Sequence, residues 1–149
     1  MLEIASILLN LHLSTPNLNV DLGSKSFPIR IAHEVRTSNE VGGTLHIEPD
    51  DRPIAGQRSR AWIALTRRGG EIIPYNNCNC RLEVRSLTNK NIRFTVSQMP
   101  SILDRYLGLP SIEIVFPQVG RYELLLNGAP KGDEDFPPFE LTFTVNVGK

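Results

Sequence analysis

Short runs of alternating hydrophobic and polar residues, each ended by a turn, make up the chain from residue 31 onward. In the run GGTLHIEP, Leu45 and Ile47 occupy alternate positions, and polar residues occupy the positions between and beside them. In CRLEVRSL, Cys80, Leu82 and Val84 alternate with polar and charged residues. Because side chains along a strand point to opposite faces in turn, this pattern predicts β-strands with one buried face.

One run departs from simple alternation. RAWIALT is apolar at both the odd and the even positions. Trp62 and Ala64 would lie on one face of the strand, and Ile63 and Leu65 on the other. Apolar side chains on both faces are typical of a central strand that is covered on both sides. The residues RRGG then predict a hairpin into EIIP, and further strands are predicted at IRFTV, SIEIVF, RYELLL and FELTFTV.

The segment MPSILDRYLGLP, residues 99–110, is where the pattern favours a short helix. The predicted fold is all-β: an immunoglobulin-like antiparallel β-sandwich of about seven to eight strands with one short helix. Two cues favour the immunoglobulin-like form. Trp62 lies in an early central strand, and Tyr122 follows a glycine turn near the start of a late strand, as in a tyrosine corner.

Residues 1–30 differ in character and are predicted to form an N-terminal arm or a degenerate leader, with the sandwich domain at residues 31–149. The apolar run between residues 4 and 13 is broken by Asn10 and His12, and Glu3 is its only early charge. A secretory signal would carry Lys or Arg there, so this leader is atypical. No run is long enough to predict an integral membrane segment.

The charge balance narrows the function classes. Lysine and arginine together number 16, as do aspartate and glutamate, so the formal net charge is zero. Because nucleic-acid binding needs a basic excess or stripe, we expect no nucleic-acid partner. Arg67 and Arg68, and the acidic runs EPDD and KGDEDF, are interpreted as solvated turns. No nucleophile elbow, phosphate-binding glycine loop or dinucleotide motif is present, so the sequence predicts no enzyme.

Cys78 and Cys80 are the only cysteines in the chain. At positions i and i+2 of a strand they share a face, where two soft ligands suit Cu(I) if a third ligand joins them. A disulfide across so short a loop would be strained and easily reduced. Alternatively, Cys80 is a small buried residue in phase with the core and Cys78 lies at the rim. The sequence leaves these alternatives open.

Two histidines are further candidate metal ligands. His46 lies on the polar parity of its strand, and His33 lies at the start of the β region. Imidazole is a common ligand for copper, zinc and nickel, although isolated histidines are commonly ordinary solvated residues. His12, in the arm, belongs to no visible cluster.

Three stretches together resemble a family of small, uncharacterised cyanobacterial proteins that are predicted to be exported: AHEVRTSNEVGGTLHIEPDDRPIAGQ, AWIALTRRGGEIIPYNNCNCRLEV and EIVFPQVGRYELLLNGAP with FPPFELTFTV. That family is broadly similar to YtkA-like and copper-resistance-C-like immunoglobulin-type domains. The resemblance implies that a leader cut before His33 would free an N-terminal amine, which chelates Cu(II) together with the imidazole. By resemblance, the candidate metal site comprises His33, His46, Cys78 and Cys80.

The sequence supports two functional hypotheses. The leading one is a non-catalytic, periplasmic or secreted β-sandwich that binds an unidentified protein partner and needs no cofactor, since open sheet edges and loops suit protein contacts. The second is a copper-binding or copper-carrier domain. It predicts that a histidine approaches Cys78 and Cys80 to ligand distance.

Overall fold

Two antiparallel sheets form the body of the protein in a computed structural model, which describes residues 34–102 and 107–149. The described strands are β1 (Glu34–Ser38), β2 (Val41–Ile47), β3 (Arg58–Thr66), β4 (Cys78–Ser86), β5 (Arg93–Val96), β6 (Met99–Pro100), β7 (Pro110–Val115), β8 (Gly120–Pro130) and β9 (Phe139–Val147). One sheet has the order β1-β2-β3-β7-β6 and the other the order β5-β4-β8-β9. The predicted all-β sandwich is confirmed.

The sheets bury their facing sides against each other. Along β2, Leu45 and Ile47 are buried while the residues beside them are partly exposed. On β9 the buried residues are Phe139, Leu141, Phe143, Val145 and Val147. The alternation in the sequence therefore records which side of each strand faces the core, because successive side chains leave a strand on opposite faces.

β3 is the middle strand of its sheet, as the apolar residues on both of its faces predict. Ile63 and Leu65 belong to the core between the sheets. Trp62 lies on the opposite face beside His46, yet only 4% of its surface is exposed. The tryptophan that suggested an immunoglobulin domain is therefore buried outside the core cluster, and it does not occupy the core position of that fold's tryptophan.

Tyr122 forms the tyrosine corner that the sequence predicts. Its hydroxyl donates a hydrogen bond to the Gln118 carbonyl at 2.9 Å and accepts one from the Gln118 amide at 3.3 Å. Its ring is fully buried and meets Phe116 edge to face, with centroids 5.0 Å apart. One side chain thus satisfies both backbone groups of a turn residue and anchors the turn to the core.

Replacing Tyr122 by phenylalanine is expected to lower the free energy of unfolding by about 1 to 2 kcal/mol, because both backbone groups of Gln118 lose their partner. Urea denaturation would measure this loss. Tyr75→Phe is the control, since the Tyr75 hydroxyl makes one bond, to the Gln98 carbonyl at 3.1 Å, and we expect it to cost less. Equal losses in the two variants would contradict a special role for the corner.

The predicted helix over residues 99–110 is wrong at both ends. Met99 and Pro100 form β6 and pair with Ser111 and Pro110 of β7. Residues 103–106 between them lie outside the described part of the chain. Proline has no backbone N–H and is accepted on an edge strand, where pairing with β7 overrides the weak local helix pattern. β6 also brings the described strands to nine, beyond the predicted number.

The one helical element in residues 34–102 and 107–149 is a 3-10 turn, Tyr75–Asn77, directly before β4. The predicted arm at residues 1–30 lies outside the described residues. Within the part of the chain that is described, no helix is long and apolar enough to cross a membrane.

The two lateral sides of the sandwich differ. On one side, side chains of β1 bind the backbone of β9: Arg36 donates to the Thr142 carbonyl at 2.9 Å, and Glu34 accepts from the Thr144 amide at 2.7 Å. Side chains that occupy edge backbone groups prevent a further strand from pairing there. On the other side, β5 and β6 are the end strands of their sheets.

Candidate functional site

The outer face of the five-stranded sheet carries a His46–Trp62 pair. The two residues are direct cross-strand neighbours on β2 and β3. Their ring centroids lie 4.5 Å apart, with the planes tilted by 43°. The imidazole is therefore packed against an aromatic face, and it is not the fully solvated side chain that an isolated histidine would be.

A tight turn after β2 positions a carboxylate beside this histidine. Asp51 Oδ1 lies 3.2 Å from His46 Nδ1 and accepts the Ile47 amide at 2.7 Å. The Glu48–Pro49 peptide bond of the turn is cis. Asp51 thus orders both the chain and the imidazole, whereas the sequence interpretation treated EPDD as a solvated turn.

A polar groove of about 610 Å³ lies next to His46, lined by His46, Glu48, Pro49, Asp50, Arg58, Arg60 and Glu113. Glu113 Oε2 lies 2.9 Å from Arg58 Nη1, and its Oε1 lies 3.8 Å from Arg60 Nη2. These side chains are substantially exposed, so the pairs are weak individually. The groove offers charges of both signs to a ligand or to a partner surface.

Cys78 and Cys80 are joined by a disulfide at the start of β4. Both lie on the core face of their strand, as the i, i+2 spacing predicts. Their roles are the reverse of the sequence interpretation: Cys78 is buried in the core at 5% exposure, and Cys80 is only partly buried. On the neighbouring strand β8, Pro130 lies opposite Cys78 and Gly128 lies opposite Cys80.

A polar network adjoins the disulfide and joins three loops. Glu134 accepts from Asn77, the residue before Cys78, and from Arg67 at 2.7 Å. The Asn77 carbonyl also accepts the Lys131 amide at 3.1 Å. The Arg67 side chain is 21% exposed, so it is not the solvated turn residue that the sequence suggested. The Arg68 side chain is 83% exposed and is such a residue. No spacing rule in the sequence signals this network, because its members come from separate turns.

Among the described residues, the structure does not bring His46 together with the two cysteines. His46 points away from the core on the five-stranded sheet, while Cys78 and Cys80 face the core from the four-stranded sheet. Since packed sheets lie about 10 Å apart, one ion cannot contact both. His33 lies outside the described residues. Among the residues that are described, no group of three or more His, Cys, Asp and Glu could hold a metal ion.

No protein-family profile matches the chain, and no curated protein matches it in sequence. Solved structures match it in fold. A DUF4426 family protein of Pseudomonas aeruginosa PAO1 is 7% identical with a TM-score of 0.56, over 78% of this chain and 97% of that one. The chain shares its β-sandwich fold with this protein.

FetP of uropathogenic Escherichia coli strain F11, recombinantly expressed in the periplasm of E. coli BL21(DE3), is also similar in fold. It is 14% identical with a TM-score of 0.54, over 78% of this chain and 94% of that one. A copper-bound variant of FetP is 15% identical with a TM-score of 0.55, over 79% and 97%. At these identities the likeness establishes the fold.

Proposed function

We propose that this chain is a non-catalytic β-sandwich binding domain that acts outside the cytoplasm and recognises another protein. The observation that carries the proposal is the Cys78–Cys80 disulfide, which uses both cysteines of the chain. A disulfide across so short a loop is easily reduced, so it is expected to stay formed in an oxidising compartment such as the periplasm and not in the reducing cytosol. The structurally similar FetP was recombinantly expressed in the periplasm, which is compatible with an extracytoplasmic site of action for this chain.

The shape of the sandwich supports the binding role. One lateral side is closed by the contacts of β1 with β9, while β5 and β6 end the sheets on the other side. Loops and sheet edges held by a rigid scaffold are common sites of protein recognition. In the groove near His46, Glu113 pairs with Arg58 and Arg60, so this surface offers charges of both signs to a partner.

In cells that express the natural chain, Cys78 and Cys80 are expected to be oxidised. Thiols would be blocked with N-ethylmaleimide before lysis, and the mass of the intact protein from each cell fraction would be measured by mass spectrometry. We expect an envelope or secreted fraction that carries no label until it is reduced, and two labels afterwards, because both sulfurs are in the disulfide.

The Cys78→Ser/Cys80→Ser variant is the control, since it takes no label before or after reduction. A natural chain that is labelled twice before reduction, or that remains in the cytoplasmic fraction, would contradict the extracytoplasmic assignment. A chain that meets both expectations would then be cross-linked in the intact envelope to identify the protein it touches.

A second candidate function is copper binding, which the fold similarity to a copper-bound FetP variant favours. The residues proposed for it are His33, His46 and the two cysteines. Since His46 and the disulfide lie on different sheets, copper would have to use His46 with residues other than the cysteines, or the reduced cysteines with a third ligand.

Titration of the full chain, and of a chain that begins at His33, with Cu(II), and with Cu(I) after reduction, would test this alternative. If copper binds, His46→Ala should abolish the Cu(II) site, or Cys78→Ser/Cys80→Ser should abolish the Cu(I) site. Failure of both ions to bind at micromolar metal would remove copper from consideration and leave the protein-binding proposal unaffected.

A further inference from the structure

β5 is an edge strand with an open backbone. It pairs with β4 on one side and ends the four-stranded sheet on the other. The Ser86 amide donates to the Ile92 carbonyl at 2.9 Å, which makes these facing residues a hydrogen-bonded pair. Because such pairs alternate in an antiparallel ladder, Phe94 and Val96 bond to β4, whereas Arg93 and Thr95 direct their N–H and C=O groups outward.

Within residues 34–102 and 107–149 these outward groups are not capped. In the described part of the chain, neither Arg93 nor Thr95 has a backbone hydrogen bond on its outward side. β9, the opposite edge of the same sheet, differs because Glu34 and Arg36 of β1 bind its backbone. The sandwich therefore protects one edge of this sheet and leaves the other able to pair with an added strand.

The solvent face beside the open edge is basic. On β5, β4 and β8 it carries four arginines and two glutamates: Arg81, Arg85, Arg93, Arg121, Glu83 and Glu123. Glu83 pairs with Arg93 at 2.7 Å, and Glu123 pairs with Arg85 at 2.5 Å. Among the described residues, Arg81 and Arg121 have no carboxylate partner, so the face has an excess of positive charge although the chain as a whole is neutral.

The inner face of the same edge is apolar. Phe94 and Val96 pack against the core and remain partly exposed. A strand added beside β5 would place alternate side chains next to the arginines and next to this apolar pair, because successive side chains point to opposite faces. The edge therefore suits a segment in which acidic and apolar residues alternate.

We propose that the β5 edge binds an extended, acidic and apolar segment of a partner protein as an added antiparallel strand. This inference rests on the proposed binding function and names the partner chemistry. The outward carbonyls of Arg93 and Thr95 need donors, which peptide amides supply and a phosphate polymer does not. A second copy of this chain fits poorly, because joining two β5 edges would set two arginine-rich faces side by side.

The probe for this proposal is a short fluorescent peptide in which glutamate alternates with valine, titrated against the full chain and followed by fluorescence polarisation. We expect saturable binding in the micromolar range that weakens as salt is raised above about 0.15 M, because screening reduces charge attraction. A matched peptide with lysine in place of glutamate should bind at least about tenfold more weakly.

Thr95→Pro tests the strand pairing itself. It removes an outward N–H and leaves the ladder between β5 and β4, which uses Phe94 and Val96, intact. We expect Thr95→Pro to weaken binding at least about tenfold, and Thr95→Ala, the matched control, to change it by less than about threefold. Arg81→Glu should also weaken binding about tenfold, since it reverses an unpaired charge.

A test on the peptide avoids any effect of a variant on folding. Methylating alternate backbone nitrogens of the probe on the side that faces β5 should abolish binding, and methylating the other nitrogens should not. Slower hydrogen exchange at the Arg93 and Thr95 amides in the complex would map the probe to this edge.

Three results would overturn the proposal. One is no binding of the acidic peptide up to about 1 mM. Another is binding that Thr95→Pro and backbone methylation leave unchanged, which would show charge attraction to the arginines without strand pairing. The third is a dimer in sedimentation that Thr95→Pro dissociates, which would assign the edge to a second copy. Each of these leaves the disulfide experiment untouched, so the two proposals fail separately.

Discussion

Replacing Phe143 by alanine is expected to lower the free energy of unfolding by about 3 to 5 kcal/mol, the largest loss that we predict. Phe143 lies at the middle of β9, is fully buried, and reaches the opposite sheet at Gly43: a Cβ on that glycine would lie 3.1 Å from the ring Cζ. The ring therefore fills the space between the two sheets. Its removal leaves a cavity that the surrounding strands cannot close.

Urea denaturation followed by tryptophan fluorescence would measure the Phe143→Ala loss as a lower midpoint with an unchanged slope. Asn146→Ala is the matched control, because Asn146 lies on the exposed face of the same strand. We expect it to change the free energy of unfolding by less than about 0.5 kcal/mol. A loss below about 1 kcal/mol for Phe143→Ala would mean that the ring does not bridge the sheets as described.

Replacing Gly128 by alanine is expected to lower the free energy of unfolding by about 3 kcal/mol, at the upper end of the usual cost of overpacking. Gly128 lies between Cys80 on β4 and Phe139 on β9. A Cβ there would lie 2.5 Å from Phe139 Cε1 and 2.9 Å from Cε2. The aromatic ring occupies the place of the missing side chain, so the methyl group can enter only if the ring moves.

A double-mutant cycle separates this clash from a backbone effect. Phe139→Leu removes the ring tip, so adding Gly128→Ala to it should cost at least about 1 kcal/mol less than adding it to the natural chain. Gly148→Ala is the control, since an added Cβ there would meet nothing nearer than a backbone oxygen at 4.0 Å, and we expect a change of less than about 0.5 kcal/mol. Additive losses in the cycle would show that the ring is not the obstacle.

The sequence predicted the parts of the fold that depend on local pattern. Alternation along β2 and β9 indicated their buried faces. The apolar residues on both faces of RAWIALT indicated that β3 is central. Tyr122 was identified because its corner needs only a turn four residues upstream. The helix over residues 99–110 was wrong at its ends because pairing between β6 and β7, which lie apart in the chain, replaced the local preference.

The arrangement of the candidate site depends on tertiary contacts more than the pattern of buried faces does. The spacing of Cys78 and Cys80 placed them on one face, but only the folded structure shows that Cys78 is the more buried of the two. The partnership of His46 with Trp62 follows from the register between β2 and β3. The contact of Arg67 with Glu134 joins turns that are far apart in the chain, so no local pattern indicates it.

The sequence by itself determined that this chain is a sandwich of short strands, because the spacing of hydrophobic side chains indicates which face of each strand is buried. Only the tertiary structure decided that His46 and the Cys78–Cys80 disulfide belong to different sheets. It also decided that, among the strands the structure describes, β1 closes the β9 edge while β5 remains open. The physical reason is that strand order and edge protection arise from hydrogen bonds and packing between residues far apart in the chain. A local pattern does not contain that information.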